Sequence, residues 1–111
     1  MREEDISYFN NKEFKQILHA YEDARKHGQS IYMDADELTD IADYYMVNSQ
    51  EDKANEAISL AVSLHPDSVD PQVFLSRQEM FNNRMDRAYE ICNAIPNQDD
   101  REVKFLRAEL L

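Results

Sequence analysis

The chain contains a single glycine, Gly28, among its 111 residues. An average protein of this length contains about eight, since glycine makes up about 7% of residues. Phosphate-binding GxxxxGK[ST] loops and dinucleotide-binding GxGxxG turns need several glycines, because only glycine lets the backbone approach a phosphate closely. Two-residue β-hairpin turns also favour glycine. The sequence therefore excludes both nucleotide-binding motifs and disfavours a β-rich fold.

Cysteine and long apolar runs are also scarce. Cys92 is the single cysteine, so the chain cannot hold a disulfide framework of the kind found in small secreted proteins. No run of about 18 apolar residues occurs, and no transmembrane helix is expected. Residues 1–5 are mostly acidic and lack the apolar segment of a secretory signal. These features together predict a cytoplasmic protein.

Basic side chains are in the minority. The chain has 12 Lys and Arg against 23 Asp and Glu, which gives a net charge of −11. Such a charge repels phosphate groups, so neither nucleic acid nor an anionic membrane is an expected partner. Residues 31–70 alone carry a net charge of −9, with Lys53 as their one Lys or Arg. This acidic block is either a solvated helical surface or a surface that binds a basic partner.

Apolar residues recur three and four positions apart along most of the chain, as from Phe14 to Ala24. This spacing is typical of amphipathic helices. It predicts an all-α fold with short loops and antiparallel neighbours. The predicted helices cover residues 12–26, 35–48, 51–64, 71–82, 85–94 and 101–111.

Residues suited to helix ends support these limits. Asn11 and Asp34 can cap the first two helices, because a side-chain oxygen can accept from a free N–H of the first turn. Gly28 suits the left-handed position that follows the first helix. Asp70 followed by Pro71 predicts a cap and a first helical residue at the start of the fourth helix.

An internal repeat is found when the sequence is compared with itself at the offset that brings Asp36 onto Asp70. We call this offset the repeat interval. Six pairs are identical over positions 36–66, where chance gives about two. The identical pairs are Asp36/Asp70, Met46/Met80, Asn48/Asn82, Asp52/Asp86, Ala54/Ala88 and Glu56/Glu90. A fixed interval of this length is typical of helical repeat proteins.

The first unit of this repeat fits a known helix-turn-helix motif. The motif has a period of about 34 residues, the same as the repeat interval, and the form W-x₂-L-G-x₂-Y, followed by A-x₃-F and a proline. This sequence has the motif residue, or an apolar or small substitute, at Leu38, Ile41, Ala42, Tyr45, Ala54, Ile58, Ala61 and Pro66. The chain therefore resembles the tetratricopeptide repeat (TPR) family. The resemblance implies antiparallel helix-turn-helix units stacked as a short right-handed α-solenoid.

The resemblance also implies a domain organisation. Residues 1–34 would form an N-terminal helix and connector that acts as a cap or half repeat, and residues 35–68 the first repeat. Residues 69–100 would form a degenerate second repeat, which keeps Leu75, Ser76, Ala88 and Cys92 at motif positions. Residues 101–111 would form a capping helix or the first helix of a third unit. The phrases at 31–37 and 65–68 are similar to those of bacterial TPR proteins of the Bacteroidetes kind.

In the TPR family the first helix of each unit lines a concave groove that binds a segment of another protein. The corresponding residues here are Asp36, Thr39, Asp40, Asp43, Met46 and Val47, then Asp70, Val73, Phe74, Arg77, Met80 and Phe81. The first set is acidic with an apolar end, and the second is apolar with one arginine. The resemblance thus implies a basic or amphipathic protein segment as partner. Alternatively, Met46, Val47, Met80 and Phe81 serve only to pack neighbouring units together.

Catalysis and self-association are the other two classes of function to consider. The three histidines, His19, His27 and His65, are far apart in sequence and form no catalytic or metal-binding pattern. We therefore expect no enzymatic activity, metal or cofactor. The alternative function is that of a self-associating piece of a longer helical-repeat protein, without a separate ligand. It rests on the apolar last helix, with Leu110 and Leu111, which needs a neighbour.

Overall fold

The computed structural model describes residues 11–111, which form six α-helices and no strand. The helices are α1 (Lys12–Lys26), α2 (Ala35–Val47), α3 (Glu51–Leu64), α4 (Val69–Phe81), α5 (Met85–Ala94) and α6 (Arg101–Leu110). The all-α class is confirmed for this range. Residues 1–10, the beginning of the predicted 1–34 segment, lie outside the described residues.

The start of α4 corrects one expectation. This helix begins at Val69 with Ser68 at its cap, so Asp70 and Pro71 occupy its second and third positions. The prediction that Asp70 is the cap is therefore wrong. Proline is accepted at the third position because the first N–H groups of a helix have no intrahelical partner, so its missing donor costs nothing. The carboxyl group of Asp70 consequently lies in the first turn of α4.

Helices α2 to α5 form two hairpins that share one spacing. Helix α4 begins and ends one repeat interval after α2, and α5 begins one repeat interval after α3. A turn of three residues joins the two helices of each hairpin. Helix α5 has 10 residues whereas α3 has 14, and α6 starts two positions short of one repeat interval after α4. The shorter α5 thus changes the spacing before α6.

The turns of the two hairpins have the same hydrogen bonds. In the first turn the Ser49 N–H donates to the Met46 carbonyl at 3.1 Å, and the Gln50 N–H donates to the Tyr45 carbonyl at 2.8 Å. The equivalent bonds of the second turn measure 3.1 and 2.9 Å. Ser49 and Asn83 have φ angles of 59° and 61°, in the left-handed region that glycine usually fills at such helix ends. Both turns are therefore Schellman caps built without glycine.

Small residues lie where the two helices of a hairpin meet. Ala42 and Ala54 are fully buried in the first hairpin, as are Ser76 and Ala88 in the second. The Ser76 hydroxyl donates to the Ala88 carbonyl at 2.8 Å, so the side chain of α4 reaches the backbone of α5. A larger residue at these positions would force the helices apart, because protein cores are close-packed.

Two apolar cores result from this packing. Of the eight motif residues of the first unit, all except the exposed Pro66 are buried in the first core, to which α1 adds Phe14 and Tyr21. Cys92 and Ala88 belong to the second core, and Leu75 is half-buried against the first. The second core also takes the apolar residues of α6: Val103, Leu106 and Leu110. The chain's own α4 and α5 thus cover Val103, Leu106 and Leu110 of the last helix, whereas Leu111 stays fully exposed.

Each hairpin supports the helix that follows it. Helix α4 packs against both α2 and α3, and α6 packs against both α4 and α5. At the other end α1 contacts α2 through large side chains: the Phe14 and Tyr44 rings lie 5.7 Å apart, and the Tyr45 hydroxyl donates to Glu22 at 2.6 Å. Helices α2, α4 and α6 therefore form a row of neighbours.

The left-handed φ angles at Ser49 and Gly28 predict how substitutions there change the free energy of unfolding. Ser49→Gly should raise the free energy of unfolding by about 0.5 kcal/mol, because relief of the left-handed strain exceeds the extra chain entropy of glycine. Gly28→Ala should lower it by about 1 kcal/mol, because Gly28 has a φ of +63° although a Cβ there would meet no atom within 4 Å. Urea unfolding followed by circular dichroism measures both changes.

The matched control for these variants is Ser49→Ala, which keeps the Cβ and hence the strain. It should leave the free energy of unfolding unchanged within about 0.5 kcal/mol. A Ser49→Gly chain less stable than Ser49→Ala would contradict the assignment of backbone strain to this turn.

Candidate functional site

The row of α2, α4 and α6 forms one side of a groove with a volume of about 470 Å³. The residues that line it are Thr39, Asp40, Asp43 and Met46 of α2, then Asp70, Val73, Phe74, Arg77, Gln78 and Phe81 of α4, and Glu102 of α6. We call this cavity the groove. It brings together side chains as distant in sequence as Thr39 and Glu102, because the first helices of successive hairpins are neighbours.

Most of the residues predicted from the sequence lie on the groove. Asp36, Val47 and Met80 do not line it. Met80 is instead half-buried against the second core, where it packs α4 onto its neighbours. Met46, Val47 and Phe81 remain 38%, 48% and 76% exposed. Packing between units was the alternative role for Met46, Val47, Met80 and Phe81. Of these four, only Met80 is packed against a core, and the other three are exposed.

Two lining residues were not predicted. Glu102 belongs to α6, whose register falls two positions short of the repeat interval. Gln78 lies beside Arg77 in the sequence, and its side chain donates to Asn55 of α3 at 2.6 Å. The short α5 could have revealed the altered register of α6, since Pro96 comes early in the second unit.

Carboxylates dominate the charge of the groove. Asp40, Asp43, Asp70 and Glu102 all line it, and Arg77 is the one cation among the described lining residues. The Arg77 guanidinium forms a two-pronged pair with Glu109 of α6, with its Nε 3.1 and 3.0 Å from the two carboxylate oxygens. This hydrogen bond with Glu109 raises the pKa of Arg77 further. The single positive charge is thus largely neutralised within the chain, and the groove is anionic.

Asp70 holds the most perturbed carboxyl group of the groove. Its pKa is raised to about 7, first by a hydrogen bond with the carboxyl of Asp36, then by burial and by the negative charges of Asp36, Glu102 and Asp100. Two carboxyl groups can share a hydrogen bond only while one of them holds a proton. Asp36 therefore touches the groove by its hydrogen bond to Asp70. The net charge of this pair of carboxyl groups changes near neutral pH.

Apolar side chains complete the groove. Val73 is buried and Phe74 half-buried, whereas Met46 and Phe81 are exposed. Phe81 has the largest exposed fraction among the apolar groove residues, 76%. Exposed aromatic and methionine side chains next to fixed charges suit a surface that binds another protein, because aromatic rings bury a large apolar area and methionine adapts its shape to a partner.

No group of three or more His, Cys, Asp or Glu side chains in residues 11–111 is arranged to hold a metal ion. Cys92 is a free thiol that is fully buried in the second core. None of the described helices is both long and apolar enough to cross a bilayer. The groove, where acidic and apolar side chains from three helices meet, is the candidate functional site.

Comparison with protein-family models, with curated proteins and with solved structures gives no match. The resemblance to the TPR family thus rests on the motif residues themselves.

The raised pKa of Asp70 predicts a pH-dependent stability. Between about pH 4 and 7 the folded chain keeps a proton that an unfolded Asp has lost, so the free energy of unfolding falls as the pH rises through this range. An asparagine at position 70 has no proton to lose, so in Asp70→Asn this fall in the free energy of unfolding disappears. The variant should be more stable than the wild type by about 1 kcal/mol at pH 7.5, a value reduced for solvent screening of a half-exposed group, and equally stable at pH 4.

Urea unfolding at the two pH values tests this expectation. Asp67→Asn is the matched control, because Asp67 is exposed in the loop between α3 and α4 and should show no such pH-dependent gain. An equal gain for Asp70→Asn at pH 4 and pH 7.5 would exclude the shared proton as its cause.

Proposed function

We propose that this chain is a non-enzymatic protein–protein interaction module of the TPR type, in which a short right-handed α-solenoid binds a basic or amphipathic segment of a partner in the groove. The observation that carries the proposal is the composition of the groove: four acidic side chains, one arginine paired with Glu109, and exposed Met46 and Phe81 on one surface. Lysine or arginine side chains of the partner would meet the carboxylates, while its apolar side chains would cover Phe81 and Met46.

The spacing of the hairpins supports the TPR assignment. The two hairpins repeat three features at the repeat interval: the starts of their helices, the hydrogen bonds of their turns and their buried small residues. This interval matches the period of the TPR family. The row of first helices would correspond to the concave, partner-binding surface. A cytoplasmic location in a bacterium belongs to the same proposal. It is supported by the lone Cys92 and by the sequence phrases at 31–37 and 65–68.

We expect the charges of the groove to select the partner and its apolar side chains to supply most of the affinity. Exposed charges contribute little affinity singly, because water and salt screen them. Several carboxylates around one cavity favour a cationic segment over an anionic one and speed its approach. The apolar contacts must supply most of the remaining affinity, since a few buried anchors dominate most interfaces.

Charge reversal in the groove should abolish this selectivity. The probe is a fluorescein-labelled amphipathic peptide of Lys, Leu and Phe, compared by fluorescence anisotropy with a matched peptide that has Glu for Lys. The Lys peptide should bind, and its affinity should fall as NaCl rises from about 50 to about 500 mM. Asp40→Lys with Asp43→Lys should weaken binding about tenfold, the equivalent of about 1.4 kcal/mol.

The control makes the same double charge change elsewhere. Asp52→Lys with Asp86→Lys alters the net charge equally, but these aspartates lie on α3 and α5 and do not line the groove. This control should retain the affinity of the wild type within about twofold. Equal losses in the two double variants would show that the peptide senses only the overall charge, and the acidic block would then be a solvated surface.

A further inference from the structure

Helices α2, α4 and α6 run in the same direction along the groove. In their first turns, the carboxyl groups of Asp36 and Asp70 share a hydrogen bond. In their third turns, Arg77 of α4 pairs with Glu109 of α6, and the negative charge of Asp43 of α2 also acts on Arg77. Corresponding turns therefore meet at both levels, so one end of the groove is made of helix starts and the other of helix ends.

The helix starts form what we call the acidic end of the groove. Its acidic side chains are Asp36, Asp70, Asp100 and Glu102. None of the ion pairs within residues 11–111 includes one of these four side chains. Arg101, the first residue of α6, does not line the groove, and its guanidinium lies over the Phe105 ring, 5.4 Å from the centroid. The acidic end is thus open to cations from outside the described chain.

The negative charge decreases along the groove from the helix starts toward the helix ends. The remaining carboxylates that line it, Asp40 and Asp43, both belong to α2. On α4 the lining residues that follow Asp70 include no acid, and they include the cation Arg77. The middle of the groove therefore carries less net negative charge than the acidic end.

The uncharged polar groups in the middle of the groove already have partners. The Thr39 hydroxyl donates to the Ala35 carbonyl at 2.8 Å, and the Gln78 side chain donates to Asn55 at 2.6 Å. A ligand would have to replace these hydrogen bonds, which yields little net free energy. Selection by polar contacts consequently falls mainly to the acidic end.

The helix ends form what we call the apolar end of the groove. Met46 lies in the last turn of α2 and Phe81 in the last turn of α4, and both are exposed on the groove. Glu79, the one charged residue in the last turn of α4, does not line the groove and is paired with Arg84. Apolar side chains of a partner can therefore be buried at this end without desolvating a groove carboxylate.

The two ends are too far apart for one side chain to contact both. From Asp70 to Phe81 helix α4 rises by about 16 Å, at about 1.5 Å per residue. An extended chain of about five residues covers this distance, at about 3.3 Å per residue. Different residues of a partner must therefore meet the two ends.

We propose that the groove recognises a partner segment in which the charged and the apolar residues are separated along its length, with Lys or Arg at the acidic end and apolar side chains at the apolar end. This placement rests on the proposed function of the groove and adds the order of residues that a partner must have. In a segment where Lys and apolar residues alternate, some cations lie away from the carboxylates and some apolar side chains lie against them. Such a segment binds more weakly, because these groups are desolvated without a suitable partner.

Two peptides of identical composition test the order of residues. The blocked peptide has three Lys at one end and Phe, Leu and Phe at the other, separated by two Ser, and the alternating peptide has the same residues with Lys and apolar residues in turn. Isothermal titration calorimetry with the full chain should give about tenfold tighter binding for the blocked peptide, the equivalent of about 1.4 kcal/mol.

A spin label tests the placement. A nitroxide on a cysteine added beside the Lys block should broaden the amide signals at the starts of α2, α4 and α6. The same label beside the apolar block should broaden those at the ends of α2 and α4, near Val47 and Phe81. Amide spectra of the full chain with each labelled peptide, before and after reduction of the nitroxide, measure both effects.

A matched pair of variants tests the acidic end by itself. Glu102→Lys should weaken binding of the blocked peptide about tenfold. Glu13→Lys is the control, because Glu13 is also the exposed second residue of its helix, and each N–H donates to the capping side chain at 2.8 Å. Glu13 does not line the groove, so this variant should keep the affinity within about twofold.

The outcomes distinguish this placement from the function on which it rests. If neither peptide binds, the proposed function is wrong and the placement with it. Equal affinities of the two peptides, or broadening of the same amides by both labels, would overturn the placement while peptide binding stands. A chain that sediments as a dimer alone and as a monomer with the peptide would overturn it in favour of a second copy as the occupant of the groove.

Discussion

The close approach of two helices over small residues is the constraint on which the rest of this structure depends. Ala42 against α3 and Ser76 against α5 remove the bulk that would hold the helices apart, and the Ser76 hydroxyl bonds to the backbone of the facing helix. A three-residue turn with one left-handed residue then fixes the register. Because both hairpins meet these conditions at the same repeat interval, their first helices become neighbours. The groove is a consequence of that alignment.

The same alignment makes the groove electrostatically unfavourable to the folded chain. Equivalent positions on successive first helices carry Asp36 and Asp70, so their carboxyl groups meet and share a proton, and the pKa of Asp70 is raised. Glu102 adds a third acidic side chain at the second position of α6. A helix N-terminus offsets part of this repulsion, because its free N–H groups favour negative charge. A cationic partner would offset more, so the repulsion itself would favour the binding of one.

The sequence predicted helix existence and core positions well because both follow from local periodicity. The motif residues Leu38, Ile41 and Ala54 are all buried as their spacing requires. Prediction was poorer where distant parts of the chain compete. Pro71 was compatible with a start at either Val69 or Pro71, since proline is tolerated throughout the first turn. Met80 fits the groove pattern by position, but in the folded chain it packs against the second core, which sequence spacing alone does not show.

The charge of the groove depended on a change of spacing that a strict repeat conceals. At a uniform repeat interval the residue of α6 equivalent to Arg77 would be Leu111, which cannot neutralise it. Because α5 has 10 residues rather than 14, α6 begins two positions earlier in register, and Glu109 takes that place with both oxygens on the guanidinium. The shorter helix thus converts an arginine on the groove into half of an internal ion pair. With that cation paired, the carboxylates set the net charge, so a deviation from the repeat, rather than the repeat itself, decides the sign of the partner that the groove can attract.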